Sequence, residues 1–132
     1  MVVDTSAILA VFLQEPEAPA FAMALEAADT VRISAGTVLE TAIVLRAKKR
    51  VSVAQADQFL DDLLAEVGAQ IEPVDAVQLL AARRGYAQYG RGNHSAKLNY
   101  GDSFSYALAK VTGEPLLFKG RDFAQTDLRP AL

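Results

Sequence analysis

Short β-type apolar runs alternate along the chain with longer segments whose apolar residues recur at helical spacing, and that alternation predicts an α/β sheet. Val2 and Val3 open a first strand. The helix after it (Ala7, Ile8, Leu9, Val11, Phe12) is apolar on nearly every side, the pattern of a buried helix. A second helix follows Pro16, with Phe21 and Leu25 four apart, before a strand at Val31-Arg32-Ile33. Gly36 and Thr37 open a third helix reaching about Lys49. Ser52 and Gln55 have capping-box spacing, and Phe59, Leu60, Leu63 and Leu64 stripe a fourth helix that ends before Gly68. Ile71 marks a brief strand, Asp75 caps a fifth helix carrying Val77, Leu79 and Leu80, and the segment from Gly90 to Asn99 reads as a loop. A sixth helix runs from Gly101 to Val111, closed by Gly113 and Pro115. Leu116-Leu117-Phe118 then reads as a buried parallel strand before a turn at Gly120. No repeat, linker or low-complexity segment interrupts the series.

Composition narrows the class. A chain of 132 residues, 52% hydrophobic, can bury one core and is too short for two ordinary domains, so a single domain over 1–132 is expected. Cysteine is absent, which excludes a disulfide framework, a thiolate zinc site and a cysteine nucleophile. With no basic region before an apolar stretch at the start, and no apolar window of roughly 18 residues, a soluble, cytoplasmic protein without a membrane association is expected. The net charge of −3 argues against a general phosphate-tracking surface. It changes meaning if several of the 16 acids converge on one cation, because the total then hides both the cation pocket and a basic rim. Arg46, Lys48, Lys49 and Arg50 form one basic cluster; Arg83, Arg84, Arg91 and Lys97 bracket another. Either is equally well a solvated helix end.

Four acids fall where a strand ends or a helix begins, the edge at which open α/β sheets place ligands. Asp4 follows Met1-Val2-Val3 and precedes the hydroxyls of Thr5 and Ser6; a helix N-cap explains it as well as a site does. Glu40 lies on a stripe with Ile43, Val44 and Ala47, where a carboxylate needs a partner, although Thr37 and Glu40 also have capping-box spacing. Asp102 sits in the first turn of a helix, where amides and dipole favour a negative charge. Asp122 follows the Gly120 turn and is otherwise an exposed turn acid. Taken together, four such acids point to a hard cation, Mg2+ or Mn2+. Carboxylates cannot share a small site without one, and such a site suits phosphodiester hydrolysis.

Val2-Val3-Asp4-Thr5-Ser6-Ala7, Glu40 in the third helix, Leu98-Asn99-Tyr100-Gly101-Asp102-Ser103-Phe104, and Leu116-Leu117-Phe118-Lys119-Gly120-Arg121-Asp122-Phe123 resemble, in order along nearly the whole chain, the PIN-domain VapC toxins. The resemblance implies a three-layer α/β/α fold with a mostly parallel central sheet and an acidic cluster that binds Mg2+ or Mn2+ and hydrolyses RNA. By position, Asp4 and Asp102 match the principal metal-binding acids, Glu40 the third acid, and Asp122 the fourth and more variable one. Thr5 or Ser6 matches a hydroxyl that orients the first acid. Ser103 stands where many relatives carry cysteine, and Asp127 is at most an extra helper. The implied mechanism is in-line attack by a metal-activated water without a covalent intermediate. A cognate VapB-type antitoxin and a homodimer are expected as partners.

Two other readings fit parts of the pattern. A non-catalytic PIN-like binding module would keep the fold while Glu40 and Asp102 act as caps, and metal-dependent turnover discriminates against it. A phosphohydrolase with Asp4 as nucleophile is disfavoured because no second acid stands two residues on. A nucleotide-binding domain is weaker, for want of a Gly-rich loop after the first strand. His94, the only histidine, has no nucleophile to pair with and reads as a loop side chain or phosphate contact. Tyr86, Tyr89 and Tyr100 fit base stacking or helix-end packing equally.

Overall fold

The structure is a computed structural model that describes residues 1–48 and 51–132. Four short strands, β1 (Val2–Val3), β2 (Arg32–Ser34), β3 (Gln70–Glu72) and β4 (Leu116–Leu117), form one sheet in the order β3-β2-β1-β4. All three pairings are parallel, with Val2 opposite both Arg32 and Leu116. Among the described residues six α-helices connect them: α1 (Thr5–Phe12), α2 (Ala18–Glu26), α3 (Ala35–Arg46), α4 (Val53–Glu66), α5 (Ala76–Tyr89) and α6 (Asp102–Thr112).

The strand period of two divides the core. Val3, Ile33 and Leu117 point into one apolar cluster with Ile8, Phe21, Leu25, Leu45 and Leu60 from α1 to α4. Val2 and Leu116 point the other way, into a second cluster with Tyr89, Tyr106, Leu108 and Phe123. The result is the expected three-layer α/β/α arrangement. Each fully buried valine of β1 contributes about 1.5–3 kcal/mol of hydrophobic stabilisation, so two residues suffice for a central strand.

Local signals largely act as predicted. Ser52 accepts from the amide of Gln55, whose side chain returns the bond to Ser52. Asp75 caps α5 through the Gln78 amide, and Gly113 closes α6 at φ 70°. Phe21 packs in the core, and Phe12 meets Phe59 edge to face.

Three expectations are corrected. The second strand is Arg32–Ser34, one residue later than the apolar run suggests. The third helix starts at Ala35 with Ser34 as N-cap residue, so Thr37 and Glu40 do not form a capping box; the expected end near Lys49, and the basic residues Lys49 and Arg50, lie outside the described residues. On α5, Val77, Leu79 and Leu80 are exposed, while Gln78, Ala82, Gly85 and Tyr89 face inward. The cause is close approach to α6: a Cβ on Gly85 would overlap the Tyr106 ring, so that face must be built from small residues.

The strand order places the topological switch point between β1 and β4, since the chain steps from β1 to β2 to β3 on one side and returns to the other. In sheets of this type the ligand crevice opens at the carboxyl ends of the strands flanking that point. Asp4 follows β1, and Asp122 follows β4 by a short turn through Gly120, where φ is 105°.

Candidate functional site

Asp4 is 3% exposed and sits where β1 turns into α1. It is the N-cap residue of α1, at the position expected for the first site acid. Oδ2 accepts from the Ser6 amide at 2.9 Å and the Ser6 hydroxyl at 2.6 Å, while Oδ1 accepts from the Ser105 hydroxyl at 2.7 Å. Ser6 Oγ in turn accepts from the Lys119 amide at 2.9 Å, which ties β4's exit to β1's exit. Thr5 points the other way, donating to Glu40 Oε2 at 2.8 Å and lying 3.1 Å from the Thr41 hydroxyl. Of the two hydroxyls suggested beside the first acid, Ser6 orients Asp4 and Thr5 holds Glu40.

Glu40 reaches across from α3 to the start of α6. A Cβ on Gly101 would overlap the Glu40 carboxylate, so only glycine permits this approach beside Asp102. Burial raises the Glu40 pKa above the usual carboxylate range, with the charge on Asp4 adding to the rise and the Thr5 hydroxyl opposing it. Asp102, the first residue of α6, exchanges bonds with Asn99: its Oδ2 accepts from the Asn99 amide at 2.8 Å, and its own amide donates to Asn99 Oδ1 at 3.0 Å. Ser103 donates to the Asn99 carbonyl at 2.9 Å, completing the turn. Desolvation pushes the Asp102 pKa up to about 6, against the Asn99 bond, with further upward pressure from the charges of Asp4, Glu40 and Asp122. The four predicted acids therefore occupy one electrostatic neighbourhood, Asp122 at its exposed edge.

Other candidates lie elsewhere. Asp127 accepts from Tyr106 at 2.8 Å and from Lys110, a structural role on α6. His94 accepts from the Ala96 amide through Nδ1 and packs edge-on against the buried Tyr89. Arg46 is paired with Asp57 by two 2.8 Å bonds. Tyr86 and Tyr100 are exposed. Residue-by-residue reading of the sequence assigned no site role to Ser105, Thr41 or Gly101, and it read Thr37 only as a helix-opening cap. Their signal was present: hydroxyls at 37 and 41 on one face of an apolar helix, and glycine directly before an acid.

Among the described residues, no three His, Cys, Asp or Glu side chains form one ion-binding group. An oxygen-only pair still fits Mg2+ or Mn2+, since such ions keep several waters and need only one or two carboxylates from the protein. Asp4 and Asp102 are the two acids that could supply such a pair, with Glu40 in the same electrostatic neighbourhood.

The chain is thus a parallel α/β/α domain whose candidate acids, after β1, on α3, at the start of α6 and after β4, lie toward one edge of the sheet. The PIN domain family model matches residues 1–128, and the chain belongs to that family. Within it, the chain is 46% identical over 132 residues to Ribonuclease VapC42 of Mycobacterium tuberculosis (strain H37Rv), covering 99% of this chain and 98% of that one. It is 47% identical to Ribonuclease VapC28 of the same organism, covering 100% and 98%. It therefore belongs to the VapC ribonucleases, the toxin members of VapBC systems. The fold is also shared with the crystal structure of Mycobacterium tuberculosis VapC20, described as a Sarcin-Ricin loop cleaving toxin, at a TM-score of 0.71 and 18% identity over 98% of both chains.

Proposed function

We propose that the chain, acting as one domain over residues 1–132, hydrolyses RNA phosphodiester bonds with Mg2+ or Mn2+ held by Asp4 and Asp102 and supported by Glu40 and Asp122. The observation that carries this reading is the approach of Glu40 to the Gly101 backbone, which brings acids from three separate elements to one edge of the sheet. A divalent cation bound there would activate water for in-line attack and offset charge developing on the phosphate. Asp4 is immobilised by Ser6 on Oδ2 and by Ser105 on Oδ1. Asp102 keeps Oδ2 on the Asn99 amide. Glu40, with its raised proton affinity, suits a group that takes up a proton during cleavage. An Asp4 nucleophile is disfavoured, since no second acid stands two residues on and both of its oxygens are already held by hydroxyl or amide donors.

The relatives' VapC naming supports a cognate VapB-type antitoxin, and the exposed Leu39, Ile43 and Tyr100 beside Glu40 offer an apolar surface to it or to a second copy in a homodimer. No helix among the described residues is long and apolar enough to cross a membrane, and an RNA substrate is a ground for expecting the activity in the cytoplasm.

The test is cleavage of total RNA by the native chain, Asp4→Asn and Asp102→Asn, each with Mg2+, Mn2+ or chelator. Cutting by the native chain alone, and only with metal, is the expected result. Equal cutting by all three proteins would refute the assignment of Asp4 and Asp102.

A further inference from the structure

We propose that Ser105 is a positioning residue for Asp4, oriented by Thr37, and that it sets the affinity of the site for its divalent cation. The proposal rests on the metal-site reading above and extends it to side chains outside the acid cluster.

Ser105 lies on α6, 101 positions from Asp4 in sequence, with no solvent exposure. Its hydroxyl donates to Asp4 Oδ1 at 2.7 Å, and its oxygen stands 3.0 Å from the Thr37 hydroxyl. An ionised carboxylate only accepts, so the Ser105 proton is committed to Asp4 and Thr37 must be the donor in the second bond. Thr37 is itself fully buried on α3. The proton order is thus fixed as Thr37 to Ser105 to Asp4, joining α3, α6 and α1.

The acceptor count on Asp4 gives the relay its consequence. Oδ2 receives two donors from Ser6, which occupy both of its lone-pair directions. Oδ1 receives Ser105 alone among the described residues, leaving one direction uncommitted. Ser105 therefore selects which lone pair of Asp4 remains for a cation, and it holds the carboxylate plane while that pair is in use. Removing a group that orients a metal-binding side chain typically lowers metal affinity or activity 10- to 100-fold.

The experiment uses the full chain without RNA and titrates Mn2+ by calorimetry into the native protein, Ser105→Ala and Thr37→Val. Thermal melting in chelator and single-turnover RNA cleavage over a range of Mn2+ accompany it. For Ser105→Ala, Mn2+ affinity is expected to fall roughly 10- to 100-fold. The KM for RNA should stay unchanged, and much of the cleavage rate should return at saturating Mn2+. Thr37→Val, which leaves Ser105 in place without its donor, should fall between that variant and the native chain. Native Mn2+ affinity in both variants would overturn the proposal. So would a loss of affinity matched by an equal loss of melting temperature in chelator, which marks general loosening. Absence of Mn2+ binding by the native chain would instead defeat the metal-site reading itself.

Discussion

Replacing Asp102 with asparagine should make the metal-free protein more stable at neutral pH while abolishing its response to Mn2+. The folded carboxyl is raised from 3.8 to about 6, chiefly by desolvation, and the unfolded chain carries the ordinary value. A shift of about 2 units corresponds to about 3 kcal/mol at full weight. Because the group is only partly buried, solvent screening reduces this to about 1–2 kcal/mol. Loss of the charge at the α6 N-terminus takes back a further ~0.5 kcal/mol. Asparagine retains an oxygen for the Asn99 amide, so the turn survives. The net gain of about 1 kcal/mol corresponds to about 4 °C in melting temperature for a domain of this size.

The pH dependence fixes the sign. Below 3.8 the native carboxyl is neutral in both folded and unfolded states, and the two proteins should melt together. As pH rises through about 6 the native chain loses the stability associated with its protonated Asp102, and the asparagine variant does not. The gap should open between these values and stay constant above them. Mn2+ at about 100 times its dissociation constant should then add roughly 2.7 kcal/mol to the native protein, reversing the order. Calorimetric melts in chelator and in Mn2+, from pH 3.5 to 8, provide the test. A variant less stable than the native chain at pH 7.5 in chelator, or a gap indifferent to pH, would refute the reasoning.

Gly101→Ala has helical backbone angles available to it (φ −64°, ψ −45°), so the fold should be unharmed or stabilised by about 0.4–1 kcal/mol. The new methyl group should nonetheless displace Glu40 and lower single-turnover cleavage at least roughly 10-fold; cleavage at the native rate would count against the role given to Glu40. Gly85→Ala should destabilise by about 1–3 kcal/mol through overlap with Tyr106, read from urea midpoints, with little effect on Mn2+ affinity. Ser52→Ala should cost about 1 kcal/mol by removing the α4 cap and leave cleavage per folded molecule unchanged.

These outcomes separate what was legible in the sequence from what was not. Short-range chemistry was legible: the Ser52 box, the Asp75 cap and the Gly113 terminus each depend on residues within a turn of one another. Asp4 and Asp102 were legible as strand-end and helix-start positions, whereas Glu40 lies in the second turn of α3 and was legible chiefly through the family pattern. The inward face of α5 was not, because a helix that packs closely needs Ala82 and Gly85 at its contact rather than Val77, Leu79 and Leu80. Nor was Ser105, whose partner lies 101 positions away and whose spacing on α6 suits packing equally well. Thr37 was read as a cap for the same reason: a threonine three residues before a glutamate has a local explanation that the tertiary bond to Ser105 replaces.

How the chain tolerates its acids bears on what they are for. Among the described residues, none of Asp4, Glu40, Asp102 and Asp122 is in a salt bridge. Lys119 is the informative case. Its amide reaches Ser6, one bond from Asp4, yet its ammonium is drawn away to Glu15 at 2.9 Å and Glu17 at 3.0 Å. Neutral donors do the nearby work instead: Ser6 and Ser105 on Asp4, Thr5 on Glu40 and the Asn99 amide on Asp102. A lysine placed among the acids would lower their proton affinities and stabilise the empty site, but it would also compete with any divalent cation for the same oxygens. Hydroxyls and amides orient the carboxylates without neutralising them. The electrostatic cost then remains in the folded protein as the raised proton affinity of Asp102 and Glu40, where a bound cation can offset it.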